Sequence, residues 1–312
     1  MSRLVILETT RLLRFARHGR LLPWLGPALR GLAGGRLRAS ACVLPVIEQI
    51  GARKYCAGCL HMAGCSYGET YEPDPAPGLH LAMGWENTAR PLVVAPAFPL
   101  PDTAEPGMAV QVNIVFIGRA AAGHVDKVWE ALRIGGADAA IGLGDDHVLF
   151  DIESNPDPVL PEEVQLPFDA SKDDSWAPLV RVELSSPLFV NEAGPNGRKR
   201  AVLDPTFGQL VRAGLRVLGP LHKLYAEPLP DHVFGYVKTA AETVPTIHAA
   251  FHEFRQSKWS HRSKDKFEMR GAIGWAEYGP VPGWLLPWLT WAGRVHVGTH
   301  RITGAGGWRV LA

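Results

Sequence analysis

The chain has 312 residues and a net charge of only +1, with 46% hydrophobic and 20% charged residues. This balance predicts a globular protein with a buried core, long enough for two domains of ordinary size. No uninterrupted apolar run approaches the roughly 20 residues of a membrane helix, which argues against a membrane partner. Residues 1–20 alternate apolar side chains with arginine and lack a signal peptide's apolar centre, so we expect a cytoplasmic location.

Charge is distributed unevenly along the chain. Residues 1–60 carry ten Lys or Arg against two Asp or Glu, and residues 255–312 carry nine against three. Residues 61–254 carry thirteen against twenty-six. If the fold brings the basic ends together, they form one positive surface of the kind that binds nucleic acid. The alternative is that the arginines are scattered over solvated faces.

The N-terminal region predicts a strand followed by a helix. Apolar residues rich in strand formers place the strand within residues 3–16. The helix can start at Pro27, and Gly34 and Gly35 weaken it by about 1 kcal/mol each relative to alanine. We therefore expect a short or interrupted helix. The side chains that it leaves for solvent or a ligand are Arg30, Arg36 and Arg38.

Three of the four cysteines lie within residues 52–72. Cys56 and Cys59 have the two-residue gap of a metal knuckle, and Cys65 follows six residues later. Cys42 or His61 could complete a set of four ligands. A structural zinc is therefore one hypothesis, free thiols are another, and a disulfide is less favoured in a reducing compartment.

Proline and glycine organise the centre of the chain. Residues 72–107 are rich in proline, which favours loops and edge strands, with the best strand at 91–98. The elements predicted next are a strand at 108–117, a helix at 125–133 that is broken by Gly135 and Gly136, and a strand at 147–152. The acidic, proline-rich stretch that follows suits a linker between domains.

The second half has the pattern of a ferredoxin-like unit. Its predicted elements are a strand at 179–184, a helix at 207–225, strands at 247–259 and 268–278, a helix at 282–292 and a last strand. This β-α-β-β-α-β order also fits the first half. We therefore predict an α+β protein with tandem ferredoxin-like (RRM-like) domains at 1–155 and 177–312, a linker at 156–176, and an insertion at 42–107.

Two C-terminal segments are predicted to bind RNA. The basic hairpin carries Lys258, Trp259, His261, Arg262, Lys264, Lys266 and Arg270. Alternate residues of a strand share a face, so the cations can form a ladder at phosphate spacing while aromatic rings stack on bases. The final stretch, entered by an apolar run at 294–297, is read as strand, glycine loop and strand. Its predicted contacts are Arg301, Gly304, Gly306, Gly307 and Arg309.

Each of these segments also has a structural interpretation without RNA. The basic hairpin could be exposed only for solubility, and the glycine loop could be a tight turn that closes the last sheet.

Both halves of the chain resemble a known family. The C-terminal half contains WSHRSKDKFEMRGAIGWAEYG, an apolar helix and RVHVGTHRITGAGGWRVL, and the N-terminal half contains LPWLGPALRGLAGGRLRASAC and CAGCLHMAGCSYGETYEP. These segments resemble the CRISPR-associated endoribonucleases that cut precursor crRNA, the Cas-six family of the RAMP superfamily. The resemblance implies tandem ferredoxin-like folds and a C-terminal glycine-rich loop followed by a basic residue. In this chain Trp308 intervenes before Arg309.

The resemblance further implies metal-independent cleavage on the 3′ side of a repeat stem, without a cofactor. The 2′-hydroxyl attacks the neighbouring phosphate and leaves a 2′,3′-cyclic phosphate and a 5′-hydroxyl, which calls for a base, an acid and cations. Family members often place a histidine in or near the first helix, but residues 26–55 contain none. The candidates here are His18 for proton transfer, Arg30 and Arg38 for phosphate charge, and Lys54 and Tyr55 as weaker helpers.

The alternatives are that His18 is an ordinary loop histidine, that the two arginines only bind RNA, and that His261 transfers the proton. Three functions remain open. The first is an endoribonuclease that binds CRISPR repeat RNA, processes precursor crRNA and passes it to an effector complex. The second is a non-catalytic RAMP subunit that only holds crRNA, which the missing histidine favours. The third is a zinc-stabilised assembly protein unrelated to RNA.

Overall fold

The computed structural model describes residues 3–43, 56, 59–73, 89–138, 141, 146, 148–153, 159–167, 175–194, 197–260 and 265–311, with backbone only at 258–260 and 265–267. Contacts divide the chain into two units, Met1–Glu163 with Leu224–Glu227, and Val164–Lys223 with Pro228–Ala312. The boundary between Glu163 and Val164 therefore falls inside the stretch predicted as a linker, residues 156–176. Among the described residues, the helices are all too short or too polar to cross a membrane.

The first unit is built on a four-stranded antiparallel sheet with one short additional strand. Its elements are β1 Val5–Phe15, β2 Gly19–Arg20, α1 Gly26–Ala41, α2 Ser66–Tyr71, β3 Leu92–Pro96, β4 Thr103–Ala104, β5 Ala109–Ile117, α3 Arg119–Ala122, α4 Val125–Asp138, β6 Phe150–Ile152 and β7 Glu162–Glu163. The sheet order is β3-β5-β1-β6, with β7 also paired to β1, and β2 pairs separately with β4.

The core of the first unit lies between this sheet and the helices α1 and α4. In α4, residues 128, 129, 132 and 136 are buried, which is the spacing of one helix face. The ring of Trp129 enters this core and its Nε1–H donates to Thr9 Oγ1 on β1 at 2.9 Å. The buried tryptophan thus has its one polar atom satisfied, as burial requires.

The second unit has a sheet of the same kind. Its elements are β8 Trp176–Ala177, β9 Val180–Leu184, β10 Asn191–Ala193, β11 Lys199–Ala201, α5 Phe207–Tyr225, α6 Asp231–Glu242, β12 Thr246–Ser260, β13 Asp265–Tyr278, β14 Val281–Pro282, α7 Leu286–Arg294 and β15 Trp308–Leu311, with 3-10 turns at Gly283–Leu285 and Arg301–Thr303. The main sheet order is β12-β13-β9-β15, and it is antiparallel throughout.

The two main sheets have the same topology. Numbered within each unit, the four strands of the main sheet order run as second, third, first, fourth, and helices connect the first to the second and the third to the fourth. This is the ferredoxin-like arrangement. The prediction of an α+β protein with tandem ferredoxin-like domains is therefore confirmed.

Glycines were wrongly predicted to interrupt two helices. Helix α1 is continuous through Gly34, and α4 continues through Gly135 and Gly136. A β-carbon at Gly34 would stand 2.6 Å from the Tyr71 ring, and one at Gly136 would stand 2.3 Å from the Phe150 ring. These glycines allow close packing, and the burial of aromatic rings against the helices offsets the weak helix propensity of glycine.

Three further expectations differ from the structure. The apolar run at 294–297 is not a strand, because α7 ends at Arg294 and the following residues form a buried connection. Helix α6 was not predicted at all. The proposed insertion at 42–107 includes β3, which is an integral strand of the first sheet.

Candidate functional site

Arg30 occupies a core position of α1. The buried residues of this helix are Gly26, Leu29, Arg30, Ala33, Gly34 and Leu37, which form one continuous stripe. Only 9% of Arg30 is exposed, and its guanidinium carbon lies 4.4 Å from the centre of the Tyr71 ring. Of the two environments expected for Arg30, solvent or a ligand, exposure to solvent does not fit, since the apolar stripe continues on both sides of it.

Arg30 carries hydrogen-bond donors that the surrounding protein does not use. Among the described residues, its buried Nε and Nη2 atoms meet no hydrogen-bond acceptor, and the buried hydroxyl of Tyr71 has no partner either. Burial lowers the pKa of the Arg30 guanidinium from its usual value, although arginine stays charged at neutral pH. A buried cation without hydrogen-bonded partners is costly, and an anion beside it would remove that cost.

A second arginine and a second tyrosine continue this arrangement. Tyr67 precedes Tyr71 by one turn of α2, and their rings stack 5.5 Å apart at an angle of 7°. Burial raises the pKa of Tyr67 to about 12, so its hydroxyl remains a neutral donor. Arg38, two turns after Arg30 on α1, is half-buried and lines a cavity together with Tyr67. Helices α1 and α2 thus hold two arginines beside two tyrosines.

His18 lies in a different environment, in the turn between β1 and β2. Its side chain is 65% exposed, and its Nε2 lies 3.4 Å from Glu105 Oε1. Nearby, the backbone and side-chain N–H groups of Arg20 donate to Asp146 Oδ2 at 2.8 and 3.0 Å. These hydrogen bonds hold the pKa of Asp146 below its usual value. No contact in the described part of the chain joins His18 to Arg30, and the other candidates Lys54 and Tyr55 lie outside the described residues.

A buried histidine that the sequence reasoning missed lies on the helical side of the first unit. His124 Nε2 is 2.6 Å from Glu69 Oε2, while Glu69 Oε1 accepts the backbone N–H of Gly64 at 2.8 Å. His124 is only 9% exposed. The pair ties α2 to the start of α4. The two residues are far apart in sequence and no local motif connects them, so no sequence signal could have paired them.

The basic hairpin formed by β12 and β13 is only partly described. Arg255 and Arg270 face each other across the two strands and donate to the carboxylate of Glu253 at 2.6 and 2.5 Å. These hydrogen bonds hold the pKa of Glu253 below its usual value. Part of the predicted cationic ladder is therefore neutralised by this carboxylate. The rest lies outside the described side chains, namely Lys258, Trp259, His261, Arg262, Lys264 and Lys266.

The glycine-rich loop is buried and packs against its own unit. The Gly306 N–H donates to Pro187 O at 2.9 Å, and the Val297 N–H donates to Gly306 O at 3.0 Å. A β-carbon at Gly306 would stand 2.0 Å from Val297 O, and one at Gly307 would stand 2.6 Å from the His296 ring. The glycines, Gly304 included, are buried. Close backbone approach was correctly predicted, but the neighbour is the chain itself, so a contact of these glycines with RNA does not fit their burial.

The two arginines of this region have opposite environments. Arg301 is 2% exposed, and its Nε–H donates to Val295 O at the end of α7 at 2.9 Å. Its predicted role beside RNA therefore does not fit its position. Arg309 is exposed on β15 and pairs in register with Glu183. Arg309 is thus the predicted contact that remains accessible at this end of the chain.

His296 lies under the loop and is also buried. Its Nδ1–H donates to Ala305 O at 3.2 Å. Burial, with the nearby charge of Arg301, lowers the pKa of His296 to about 4. The imidazole is therefore neutral at physiological pH, and its ring packs against Gly307 of the glycine-rich loop.

All four cysteines line one cavity of about 210 Å³ in the first unit, together with Arg38 and His61. Burial raises the pKa of the Cys56 thiol to about 12. Among the described residues, no three His, Cys, Asp or Glu side chains stand close enough to hold one metal ion as they are placed. The cysteines predicted as ligands are thus brought to one cavity without converging on one point.

Comparisons with known proteins agree with this architecture. Residues 182–308 match the family model described as CRISPR-associated endoribonuclease Cas6, the Cas-six family, and residues 4–158 match the model AF_1859_N, described as an N-terminal domain. No curated protein matches the chain.

Solved structures show the same fold over the whole chain. A Cas6 product complex is 14% identical and covers 100% of both chains with a TM-score of 0.54. A partial Cas6-RT-Cas1–Cas2 complex is 12% identical and covers 99% of this chain and 46% of its own, with a TM-score of 0.56. At these identities the likeness shows the fold alone. Together with the family model, it confirms the resemblance to the Cas6 family.

Proposed function

We propose that this protein binds CRISPR repeat RNA and cleaves precursor crRNA by attack of a ribose 2′-hydroxyl on the adjacent phosphate, without a metal ion. The products are a 2′,3′-cyclic phosphate and a 5′-hydroxyl. The proposal is carried by the match of residues 182–308 to the endoribonuclease family Cas6. The proposed partners are the repeat RNA, its crRNA product and a CRISPR effector complex.

Arg30 and Tyr71 are the proposed charge-stabilising pair. Cleavage passes through a pentacoordinate phosphate that gains negative charge, and fixed donors in a water-poor setting stabilise such charge strongly. The buried Nε and Nη2 of Arg30 and the hydroxyl of Tyr71 are donors of this kind, without partners among the described residues. The packing of α1 on α2 fixes their positions. Because these atoms are buried, a phosphate reaches them only when the side chains that cover them move aside.

His18 is the proposed proton-transfer group. Its imidazole is accessible and lies beside Glu105, which can orient the ring. His124 is a less suitable choice, because it is buried and bound to Glu69. Cleavage that falls on changing His18→Ala and persists on changing His124→Gln would support this assignment.

A non-catalytic crRNA-binding subunit is the second candidate. It is favoured by the absence of histidine from residues 26–55, which leaves α1 without a proton-transfer group. In that case Arg30 would bind a phosphate without promoting its cleavage.

One assay separates the two candidates. Labelled CRISPR repeat RNA is incubated with purified protein in EDTA, beside the same RNA with a 2′-deoxy substitution at the cut site. Our proposal expects cleavage of the first RNA only. Binding of both RNAs without cleavage of either would refute the enzymatic proposal in favour of the crRNA-binding subunit, and cleavage that stops in EDTA would refute metal independence.

A further inference from the structure

The four cysteines have no role in the proposed RNA chemistry. The chain has four cysteines in all, spread over 24 positions from Cys42 to Cys65, and every one of them lines the same cavity of about 210 Å³. They come from three separate places, the end of α1, the Cys56–Cys59 turn and the residue before α2. Four thiols that reach one cavity from different segments are the ligand set of a four-cysteine zinc site.

Few side chains are buried in the part of this loop that the structure describes. Leu60 is 96% exposed and Cys56 is buried, while Met62 and Cys65 are partly buried against the core. The backbone makes successive turns, with N–H groups of Cys59 and Met62 donating to Cys56 O and Cys59 O at 3.0 and 3.3 Å. A segment with few buried apolar side chains commonly depends on a metal or a disulfide for its conformation.

We propose that Cys42, Cys56, Cys59 and Cys65 bind one structural Zn²⁺. Zinc takes four thiolate ligands in a tetrahedron with Zn–S distances of about 2.3 Å. Among the described residues no three such side chains are close enough as they are placed, so binding requires cysteine side chains to turn towards the centre of the cavity. Each ligand loses its thiol proton to solvent on binding, and no electron is transferred.

Neighbouring groups suit this ion. Four thiolates and one Zn²⁺ carry a net charge of −2, and the guanidinium of Arg38 on the cavity wall offsets part of it. The Gly68 N–H already donates to Cys65 Sγ at 3.5 Å, the kind of outer contact that orients a metal ligand. His61 also lines the cavity but is exposed, so we assign the fourth ligand to Cys42.

The test uses full-length protein that is produced in zinc-supplemented medium and purified without chelator. Elemental analysis should find about one zinc per chain in the wild type and in His61→Ala, and almost none in Cys56→Ser with Cys59→Ser. Removal of the metal should lower the melting temperature, and four thiols should become reactive towards a thiol reagent. Cobalt added to metal-free wild type should give a thiolate-to-cobalt charge-transfer band, a readout that needs no variant.

Several results would overturn the proposal. They are the absence of zinc in the wild type, iron in its place, a disulfide between two of the cysteines, or a melting temperature that does not change on metal removal. Loss of zinc in His61→Ala would refute the assignment of Cys42. None of these results depends on RNA cleavage.

Discussion

At the scale of single residues, the first unit holds a guanidinium in its core. Arg30 stacks on Tyr71 and, among the described residues, its buried Nε and Nη2 have no acceptor. An apolar side chain would fill the same position at lower electrostatic cost. We therefore expect the charge of Arg30 to serve phosphate binding at the expense of stability.

Arg30→Met removes the charge at similar volume. Desolvation of a cation costs several kcal/mol, and the buried Nε and Nη2 of Arg30 have no acceptor among the described residues to offset it. Stacking on an aromatic ring returns only about 2 kcal/mol. We expect a melting temperature equal to or above that of the wild type, together with a fall in cleavage of about 100-fold. Circular dichroism on heating and single-turnover cleavage measure the two effects.

The matched control for this variant is Arg36→Met. Arg36 lies on the same helix, is 40% exposed and pairs with Asp138 at 3.2 Å, so its loss should leave cleavage unchanged. An Arg30→Met protein that cleaves normally but melts at a much lower temperature would instead assign Arg30 a purely structural role.

His296 predicts a pH dependence of stability. Its folded pKa is about 4, against about 6.5 in an unfolded chain. Between these values the unfolded state binds more protons, so the free energy of unfolding falls as the pH drops from about 6.5 to about 4, by up to about 3 kcal/mol. Above pH 6.5 this contribution is constant.

Urea unfolding at several pH values measures this effect. His296→Asn is the control, because asparagine tolerates the left-handed backbone at this position, where φ is 60°. This variant should lose that part of the pH dependence. Identical slopes for wild type and His296→Asn between pH 4 and 6.5 would contradict the assignment.

At the scale of elements, the glycines differ in what surrounds them. In α1, Gly34 makes room for an aromatic ring, while a β-carbon at Gly35 would meet nothing within 4 Å. In the glycine-rich loop, Gly306 has a φ of 73° and lies directly against the carbonyl of Val297. The same residue type therefore serves packing in one place, a left-handed turn in another, and neither in a third.

Two alanine substitutions should have opposite effects. Gly35→Ala should stabilise the protein by about 0.5–1 kcal/mol, because alanine favours a helix and no neighbour obstructs its methyl group. Gly306→Ala should destabilise it by about 2 kcal/mol or more, through left-handed strain and the clash with Val297. Urea unfolding of both variants measures the difference, and a shift of the same sign in both would contradict the packing described for the loop.

At the scale of the whole molecule, the distribution of charge along the chain is a better guide to RNA binding than the net charge. Both ends of the chain are basic and the centre is acidic. In the second unit, Arg309 is exposed, whereas Arg301 is buried and Arg255 and Arg270 share Glu253. The remaining cations of the basic hairpin are thus the main expected phosphate contacts.

Arg262→Ala combined with Lys264→Ala tests this expectation. Loss of two phosphate contacts with single-stranded RNA should weaken binding and reduce the slope of log K against log salt by about 1.4. Filter binding or fluorescence anisotropy at several salt concentrations measures the slope. The control is Arg36→Ala with Arg133→Ala, which removes the same charge from residues paired with Asp138 and Glu130. Equal slopes in both double variants would contradict the hairpin's role.

Local patterns in the chain were sufficient for the ferredoxin-like topology, although they missed helix α6 and wrongly predicted a strand at 294–297. Strand β1 and helix α5 follow directly from the spacing of their apolar residues, since a buried face repeats every two residues in a strand and about every 3.6 in a helix. The cysteine spacing likewise indicated a common site, and all four cysteines do line one cavity.

Tertiary packing alone decided what the individual polar residues and glycines do. No local sequence feature distinguishes Arg30 and Arg301 from exposed arginines. Both are nevertheless buried, because neighbouring segments cover them. The glycines of α1, α4 and the final loop have the conformations that adjacent rings and carbonyls allow. Such contacts join residues far apart along the chain, and no local pattern encodes the distance between them.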